Sequence, residues 1–275
     1  MFRNIKRKII QIAAFGFTNS RLGNFAAGKL YQGKWKKFCS PGINCYSCPA
    51  ATFACPIGAM QSIASARRTN ISFYVLGIVL AFGVVLGRAI CGFLCPFGLI
   101  QELLYLIKSP KFKLHKAFTY IKYVILALFV IALPILVVDI TGTGKPWFCE
   151  YICPVGTLEA GLPLFIADKL LRKSIGFLFY FKLSILIIVL ILCIYIYRFF
   201  CRVMCPLGAI YGLLNKVSLL HLSCDKTRCD QCGLCKKTCK MEVDPAHTNR
   251  SAECILCGEC TKTCPKKALH IHISL

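Results

Sequence analysis

The sequence C-D-Q-C-G-L-C-K-K-T-C occupies residues 229–239, and C-I-L-C-G-E-C-T-K-T-C-P follows at residues 254–265. Both stretches have the spacing C-x2-C-x2-C-x3-C, which is typical of cysteine thiolates that hold 4Fe-4S clusters. The second stretch keeps the proline that usually follows the fourth cysteine, whereas the first has Lys240 there. Two such runs in tandem predict two clusters near the end of the chain.

The two runs predict a small bacterial-ferredoxin-like α+β domain in which they exchange ligands. In two-cluster ferredoxins the fourth cysteine of each run binds the cluster of the other run. Structural zinc bound by C-x2-C pairs is the alternative for this spacing. The predicted ligands are Cys229, Cys232, Cys235 and Cys264 for cluster one, and Cys254, Cys257, Cys260 and Cys239 for cluster two.

Composition indicates a membrane protein rather than a soluble domain. Of the 275 residues, 57% are hydrophobic. The 20 cysteines would suggest disulfides in a short secreted chain, but the spacings here are those of ligands, which favours a reducing compartment. The net charge of +23 fits Lys and Arg placed against anionic lipid headgroups. We therefore expect lipid contact and no nucleic-acid partner.

Three apolar stretches, residues 71–90, 118–140 and 175–200, are each near or above the roughly 20 residues that a membrane-spanning helix needs. We predict three transmembrane helices, with Lys122 and Lys182 snorkelling to the interface. The basic start of the chain predicts an interfacial helix. Three spans would separate the termini, so a fourth crossing at residues 9–30, 50–66 or 154–171 stays open.

A repeated motif, C-x3-C-P-x-G, follows each apolar stretch. It reads C-G-F-L-C-P-F-G at residues 91–98, C-E-Y-I-C-P-V-G at 149–156 and C-R-V-M-C-P-L-G at 201–208, and C-P-I-G at 55–58 is a shorter relative. Two thiols at i and i+4 share one face of a helical turn, and the proline then redirects the chain. Each motif can therefore supply half of a ligand set, although buried apolar cysteines would give the same pattern.

The direction of the spans suggests how these pairs combine. If the first and third spans run the same way, Cys91 and Cys95 meet Cys201 and Cys205 on the face that carries the ferredoxin-like domain. The opposite pair, Cys149 and Cys153, would lie on the far face and would take two ligands from Cys39, Cys45, Cys48 and Cys55. We favour Cys45 and Cys48 for that role. We expect Cys193 to pack as an apolar residue, and Cys224 has no assignment.

Other chemistry has little support in the sequence. The five histidines all lie outside the apolar stretches, so a transmembrane haem held by two histidines is not expected. No phosphate-binding loop, dinucleotide-binding glycine motif or nucleophile elbow is present. Four acidic residues, Glu102, Asp139, Glu159 and Asp168, are candidates for proton uptake or for binding a quinone headgroup, or are ordinary interfacial residues.

Taken together, these motifs resemble the NapH/NosR-type polyferredoxin-like 4Fe-4S membrane proteins. The resemblance covers nearly the whole chain and includes P-G-I-N-C-Y-S-C-P at residues 41–49, G-R-A-I-C-G-F-L-C-P-F-G at 87–98, F-C-E-Y-I-C-P-V-G at 148–156 and Y-R-F-F-C-R-V-M-C-P-L-G at 197–208. It implies electron transfer between a quinone pool or soluble donor and a partner redox protein. It also implies that the ferredoxin domain faces the cytoplasm.

We therefore expect a mainly α-helical, multi-pass protein of the cytoplasmic membrane. Its predicted parts are a basic, cysteine-rich N-terminal region (1–67), a membrane domain (68–222) and a 2(4Fe-4S) ferredoxin-like domain (223–275). One or two further clusters are expected at the membrane edge. The predicted role is an electron-transfer subunit rather than a complete enzyme. The alternatives are a stand-alone reductase of quinone or a metal ion, and a redox sensor or maturation factor.

Overall fold

A computed structural model of the protein describes residues 5–27, 29–65, 73–139, 144–167, 172–173, 176–248 and 250–273. Helices dominate these residues. They are α1 (Ile5–Thr18), α2 (Asn24–Ala27), α3 (Pro56–Ser65), α4 (Phe73–Leu86), α5 (Ala89–Phe93), α6 (Pro96–Leu104), α7 (Lys116–Leu136), α8 (Phe148–Ile152), α9 (Pro154–Ala167), α10 (Phe177–Tyr195), α11 (Phe199–Val203), α12 (Pro206–Leu214), α13 (Leu234–Thr238) and α14 (Glu259–Thr263). A 3-10 turn covers Lys34–Lys37, and the strands are β1 (Leu220–Cys224) and β2 (Leu269–Ile273).

In the part of the chain that the structure describes, two helices, α7 and α10, are long and apolar enough to cross a membrane. They have 21 and 19 residues, near the length that the hydrocarbon core requires. They correspond to the second and third predicted spans. Helix α4, which lies in the first predicted span, has 14 residues, and so does α9. The first predicted span and the fourth crossing therefore stay predictions.

Each C-P-x-G sequence begins a helix. Pro56, Pro96, Pro154 and Pro206 are the first residues of α3, α6, α9 and α12. Proline suits this position because the first amide of a helix has no partner within the helix. A short helix, α5, α8 or α11, precedes three of these starts. The cysteines of the repeat consequently lie at the junctions between helices.

The helices α7 and α10 run between two groups of these junctions, one near Cys91 and Cys201 and the other near Cys55 and Cys149. Helix α7 starts against α11 and ends against α3. In α10 the Lys182 ammonium donates to the carbonyl of Cys149 at 3.0 Å, and near the other end Cys193 contacts Gln101. Eleven residues separate Lys182 from Cys193, which is about 16 Å of helix. The two groups of junctions are thus separated by about half of a hydrocarbon core of roughly 30 Å.

The C-terminal part forms the expected small α+β unit. Strands β1 and β2 pair antiparallel, with Leu220 opposite Ile273 and Cys224 opposite Leu269, and α13 packs against α14. Strand β1 begins at Leu220, so the sheet includes residues before the expected boundary at 223. Three residues of this unit, Met241, Val243 and Ile255, belong to the same buried core as the helices.

Ion pairs join this unit to the helices. Arg202 on α11 pairs with Glu242 through two hydrogen bonds of 3.1 Å. Glu253 accepts hydrogen bonds from Arg88 and Lys122. The expectation that Lys122 snorkels to the interface is wrong, because its side chain is fully buried and ion-paired. The carboxylate of Glu253, which lies far away in the sequence, therefore compensates the charge of this buried lysine.

Candidate metal centres

The two C-terminal runs exchange their fourth cysteines in the structure. One small cavity is lined by Cys229, Cys232, Cys235 and Cys264, and the other by Cys239, Cys254, Cys257 and Cys260. Gly233 and Gly258 precede α13 and α14 with φ of 72° and 71°, a left-handed conformation that glycine adopts without strain. These turns bring the cysteines of each run around one cavity. The structure therefore groups the eight thiols in the sets that the sequence predicts.

The thiols of the second cavity are strongly disfavoured as free thiolates. Burial, together with the charge of neighbouring thiols, raises the pKa of Cys254 and of Cys260 to about 12. Bound metal reverses this effect, because a coordinated thiol loses its proton outright. Four partly buried thiols around one cavity are thus a donor set that becomes stable when iron supplies positive charge.

A third set, the inner quartet, consists of Cys91, Cys95, Cys201 and Cys205. All four side chains are buried, and their thiols lie within electrostatic range of one another. Cys95 and Cys205 directly precede α6 and α12, and the amide of Gly208 donates to the Cys205 sulfur at 3.3 Å. Amide groups at a helix start stabilise a thiolate. This is the grouping expected from the direction of the spans.

Two buried arginines each donate a hydrogen bond to the backbone of the other motif at the inner quartet. Arg88, three residues before Cys91, donates to the carbonyl of Cys201 at 2.9 Å. Arg198, three residues before Cys201, donates to the carbonyl of Cys91. Both side chains are fully buried, and their charges lie close enough to the thiols to interact with them. Two cations therefore offset the negative charge that four thiolates would place here.

A fourth set, the outer quartet, consists of Cys45, Cys55, Cys149 and Cys153. These residues line one cavity of about 800 Å³. Cys48 is not among the lining residues; it packs with Ala50 and Ala51, and Cys45 packs against that cluster. The structure thus places Cys55 where we expected Cys48. Proline follows both cysteines, but only Cys55 has the glycine of C-P-x-G, since residues 48–51 read C-P-A-A; that glycine is the sequence signal for Cys55.

The remaining cysteines have different surroundings. Cys39 is buried and its backbone pairs with Ala54. Cys193 is fully buried, and its thiol lies 3.6 Å from the Gln101 carbonyl oxygen. Cys224 lines the first C-terminal cavity, beside Cys229. We leave these three outside the ligand sets.

The acidic candidates separate into different environments. Burial opposes ionisation of Glu102, but Arg198, Arg7 and Lys8 outweigh it and hold its pKa well below the usual range. Glu159 accepts a hydrogen bond from the backbone amide of Cys45 at 2.7 Å. Asp139 is exposed, and Asp168 lies outside the described residues. Glu102 is therefore the centre of an ion-pair network between α1, α6 and the residues before α11.

These four sets fit 4Fe-4S clusters by number and by type of donor. A 4Fe-4S cluster takes four cysteine thiolates, with each thiolate on a different iron atom. Zinc instead requires its ligands to converge on one ion. Three of the four sets line cavities, which leaves space between the thiols for a group larger than one ion.

Comparison with known families identifies the same segments. A family described as "4Fe-4S binding domain" matches residues 71–115, 125–173 and 178–223. Each matched segment contains one C-x3-C-P motif. The match therefore falls on the repeat and includes the whole inner quartet.

Similar proteins are known from archaea and bacteria. An uncharacterised protein of Methanocaldococcus jannaschii is 30% identical over 71% of this chain and 68% of its own length. The methylamine utilization ferredoxin-type protein MauN of Paracoccus denitrificans is 30% identical over 59% of this chain and 51% of its own. Protein NirI of the same bacterium is 28% identical over 66% of this chain but only 26% of its own. No solved structure matches.

Proposed function

We propose that this chain, which belongs to the 4Fe-4S binding domain family, is a membrane-embedded relay that passes electrons to a partner redox protein. The observation that carries the proposal is the series of four cysteine sets, from the exposed Cys232 to the outer quartet. When bound at these sets, the clusters supply one-electron carriers. The ferredoxin-type relative MauN supports electron transfer as the role.

The cysteine sets lie close enough in sequence and space to act in series. Gly92, beside Cys91, approaches the carbonyl of Ile255 so closely that a Cβ atom there would lie 2.5 Å away. A Cβ on Gly42 would likewise lie 2.8 Å from the Cα of Cys95, and Cys45 follows three residues later. Backbone contacts therefore join the inner quartet to the segment that carries Cys254 and Cys257 and to the segment that carries Cys45 of the outer quartet.

The exposed surfaces of α7 and α10 support a place in the membrane. In the most apolar 18-residue stretch of each helix, only 22% (α7) and 17% (α10) is buried within the protein. A core helix of a soluble protein would bury most of its apolar surface. Side chains such as Leu136, Val124 and Ile188 instead point outward. Lipid is the environment that such surfaces require, and we place the ferredoxin-like unit on the cytoplasmic side.

The cluster held by Cys229, Cys232, Cys235 and Cys264 is the proposed point at which electrons pass to the partner. Cys232 is exposed, and the exposed cations Lys236, Lys237 and Lys266 flank the ligand positions. We call these three lysines the basic rim. A partner with an acidic surface would be attracted to this rim and oriented by it.

The cavity at the outer quartet favours a quinone as the electron donor. Its volume of about 800 Å³ lies in the range that binds small organic ligands. Tyr74, Lys182 and Thr157 are among the residues that line it. A stand-alone quinone reductase is the second candidate, since the same cavity would serve that reaction. Turnover by the purified chain without a partner would distinguish the reductase from the relay.

The relay is tested by removing single ligands. Replacing Cys91 or Cys201 with serine should remove one electron paramagnetic resonance (EPR) signal of the dithionite-reduced protein and spare the two C-terminal signals. The matched control is Cys39→Ser, which alters a buried cysteine outside the sets and should leave every signal. Loss of no signal in the first two variants would contradict a cluster at the inner quartet.

A further inference from the structure

Two glutamines occupy equivalent positions in the repeat. Each is the sixth residue after the cysteine in C-P-I-G-A-M-Q (55–61) and C-P-F-G-L-I-Q (95–101), and so lies on α3 or α6. Gln61 and Gln101 are both fully buried. A buried amide must find hydrogen-bond partners, because leaving it unpaired costs stability.

In both cases the partner is a cysteine of a ligand set. The Gln61 Nε2 atom donates to the Cys149 sulfur at 3.1 Å, in the outer quartet. The Gln101 Nε2 atom donates to the Cys201 sulfur at 3.0 Å, in the inner quartet. Each quartet thus receives one side-chain amide, and each receives it at the first cysteine of a C-x3-C-P motif.

Backbone groups fix which end of each amide faces the sulfur. The amide N–H of Phe148 donates to Gln61 Oε1 at 2.9 Å, and that of Cys201 donates to Gln101 Oε1 at 3.4 Å. Because a backbone N–H can only donate, the carbonyl end of each glutamine must face it. The NH2 end is then left for the sulfur. The same amide also donates to the carbonyl four residues earlier in its own helix.

We propose that Gln61 and Gln101 set the reduction potentials of the clusters held by the outer and inner quartets, each through its amide-to-thiolate hydrogen bond. The inference rests on the proposed function, in which Cys149 and Cys201 are ligands. Hydrogen bonds to cluster sulfurs are among the features that set reduction potential. A reduced cluster carries one more negative charge, so a donor stabilises the reduced state more than the oxidised state and raises the potential.

The test is a redox titration of Gln61→Leu and Gln101→Leu, followed by EPR. Signals are first assigned with Cys149→Ser and Cys201→Ser. Loss of a hydrogen bond should lower the ratio of reduced to oxidised cluster up to about fivefold at a fixed potential, the limit at which its net energy of about 1 kcal/mol acts on the reduced state alone. A tenfold change is 59 mV for a one-electron couple. Each glutamine variant serves as the control for the other, because only the signal of its own quartet should shift.

Several results would overturn the inference. An unshifted potential in both variants would do so, and so would equal shifts of both quartets in each variant, which would indicate a general structural change. If leucine reduces the iron content, Gln61→Met and Gln101→Met are used in its place, since methionine has nearly the length of glutamine and cannot donate a hydrogen bond. A methionine variant with full iron and an unshifted potential would also refute the role.

Failure of the proposed function gives a different result. If the serine variants remove no signal, Cys149 and Cys201 are not ligands, and the relay itself is contradicted. If the serine variants remove their signals but the glutamine variants move none, the relay stands and only the role of the glutamines is lost.

Discussion

Replacing Glu253 with glutamine should loosen the ferredoxin-like unit from the helices. Glu253 accepts hydrogen bonds from Arg88 at 2.5 Å and from Lys122. Both cations are fully buried, whereas Glu253 is 19% exposed. The substitution would leave two buried positive charges next to each other without a carboxylate.

The expected loss follows from these burials. Removing one partner of a buried ion pair costs about 3–5 kcal/mol, and the partial exposure of Glu253 favours the lower end. A loss of about 3 kcal/mol corresponds to a decrease in Tm of roughly 6–12 °C for a chain of this size. Thermal unfolding of the detergent-solubilised holoprotein, with iron content measured alongside, would record it.

Glu259→Gln is the matched control. Both glutamates directly precede a cysteine of the same run, so both substitutions change the ligand loop in the same way. Glu259 pairs with Lys240 at 3.4 Å, and that lysine is 44% exposed. Glu259 itself is 14% exposed, but its exposed lysine stays hydrated when the carboxylate is removed, and we expect a loss of about 0.2–1 kcal/mol. If the two variants lowered Tm equally, burial of Arg88 and Lys122 would not be the cause, and the reasoning would be refuted.

Three further predictions use other parts of the structure. Glu102→Gln should destabilise the protein by roughly 3 kcal/mol. Because folding depresses the pKa of Glu102, its stabilising effect is complete above the ordinary pKa of 4.5 and is lost as pH falls below that value. The Tm difference between wild type and variant should therefore shrink in acid. Cys55→Ser should remove one EPR signal, whereas Cys48→Ser should remove none, and the reverse result would restore the sequence-based assignment. Gly92→Ala should lower Tm by displacing the carbonyl of Ile255, with a cost of about 1–3 kcal/mol, whereas Gly77→Ala, which meets nothing within 4 Å, should leave Tm unchanged or slightly raised; equal effects would exclude the close approach.

The cysteine sets could be predicted where ligand spacing or helix direction restricts the choice. The C-terminal runs allow few arrangements, because the loop between Cys229 and Cys235 can surround only one corner of a cluster. The grouping of Cys91 with Cys201 required only that two spans run in the same direction. The cavity lining favours Cys55, whereas the sequence favours Cys48 because it is nearer to Cys45, although Cys48 lacks the following P-x-G.

The groups that support these sets could not be predicted from the sequence. Arg88 and Glu253 are 165 residues apart, and no local pattern connects them. Lys122 looked like an interfacial lysine because its partner belongs to another part of the chain. Gln61 and Gln101 do have a sequence signal, their equal distance from C-P-x-G, but its meaning depends on which sulfur faces each amide. Long-range packing decides such contacts, and helical periodicity carries no information about it.

Counting iron and acid-labile sulfide in the purified holoprotein tests the central claim most directly. Four cysteine sets predict about sixteen of each per chain, since a 4Fe-4S cluster contains four iron and four sulfide ions. EPR of the reduced protein should then show the signals of four clusters. About eight iron and eight sulfide would restrict clusters to the C-terminal unit and contradict a relay through the inner and outer quartets. Zinc in place of iron would contradict the whole account.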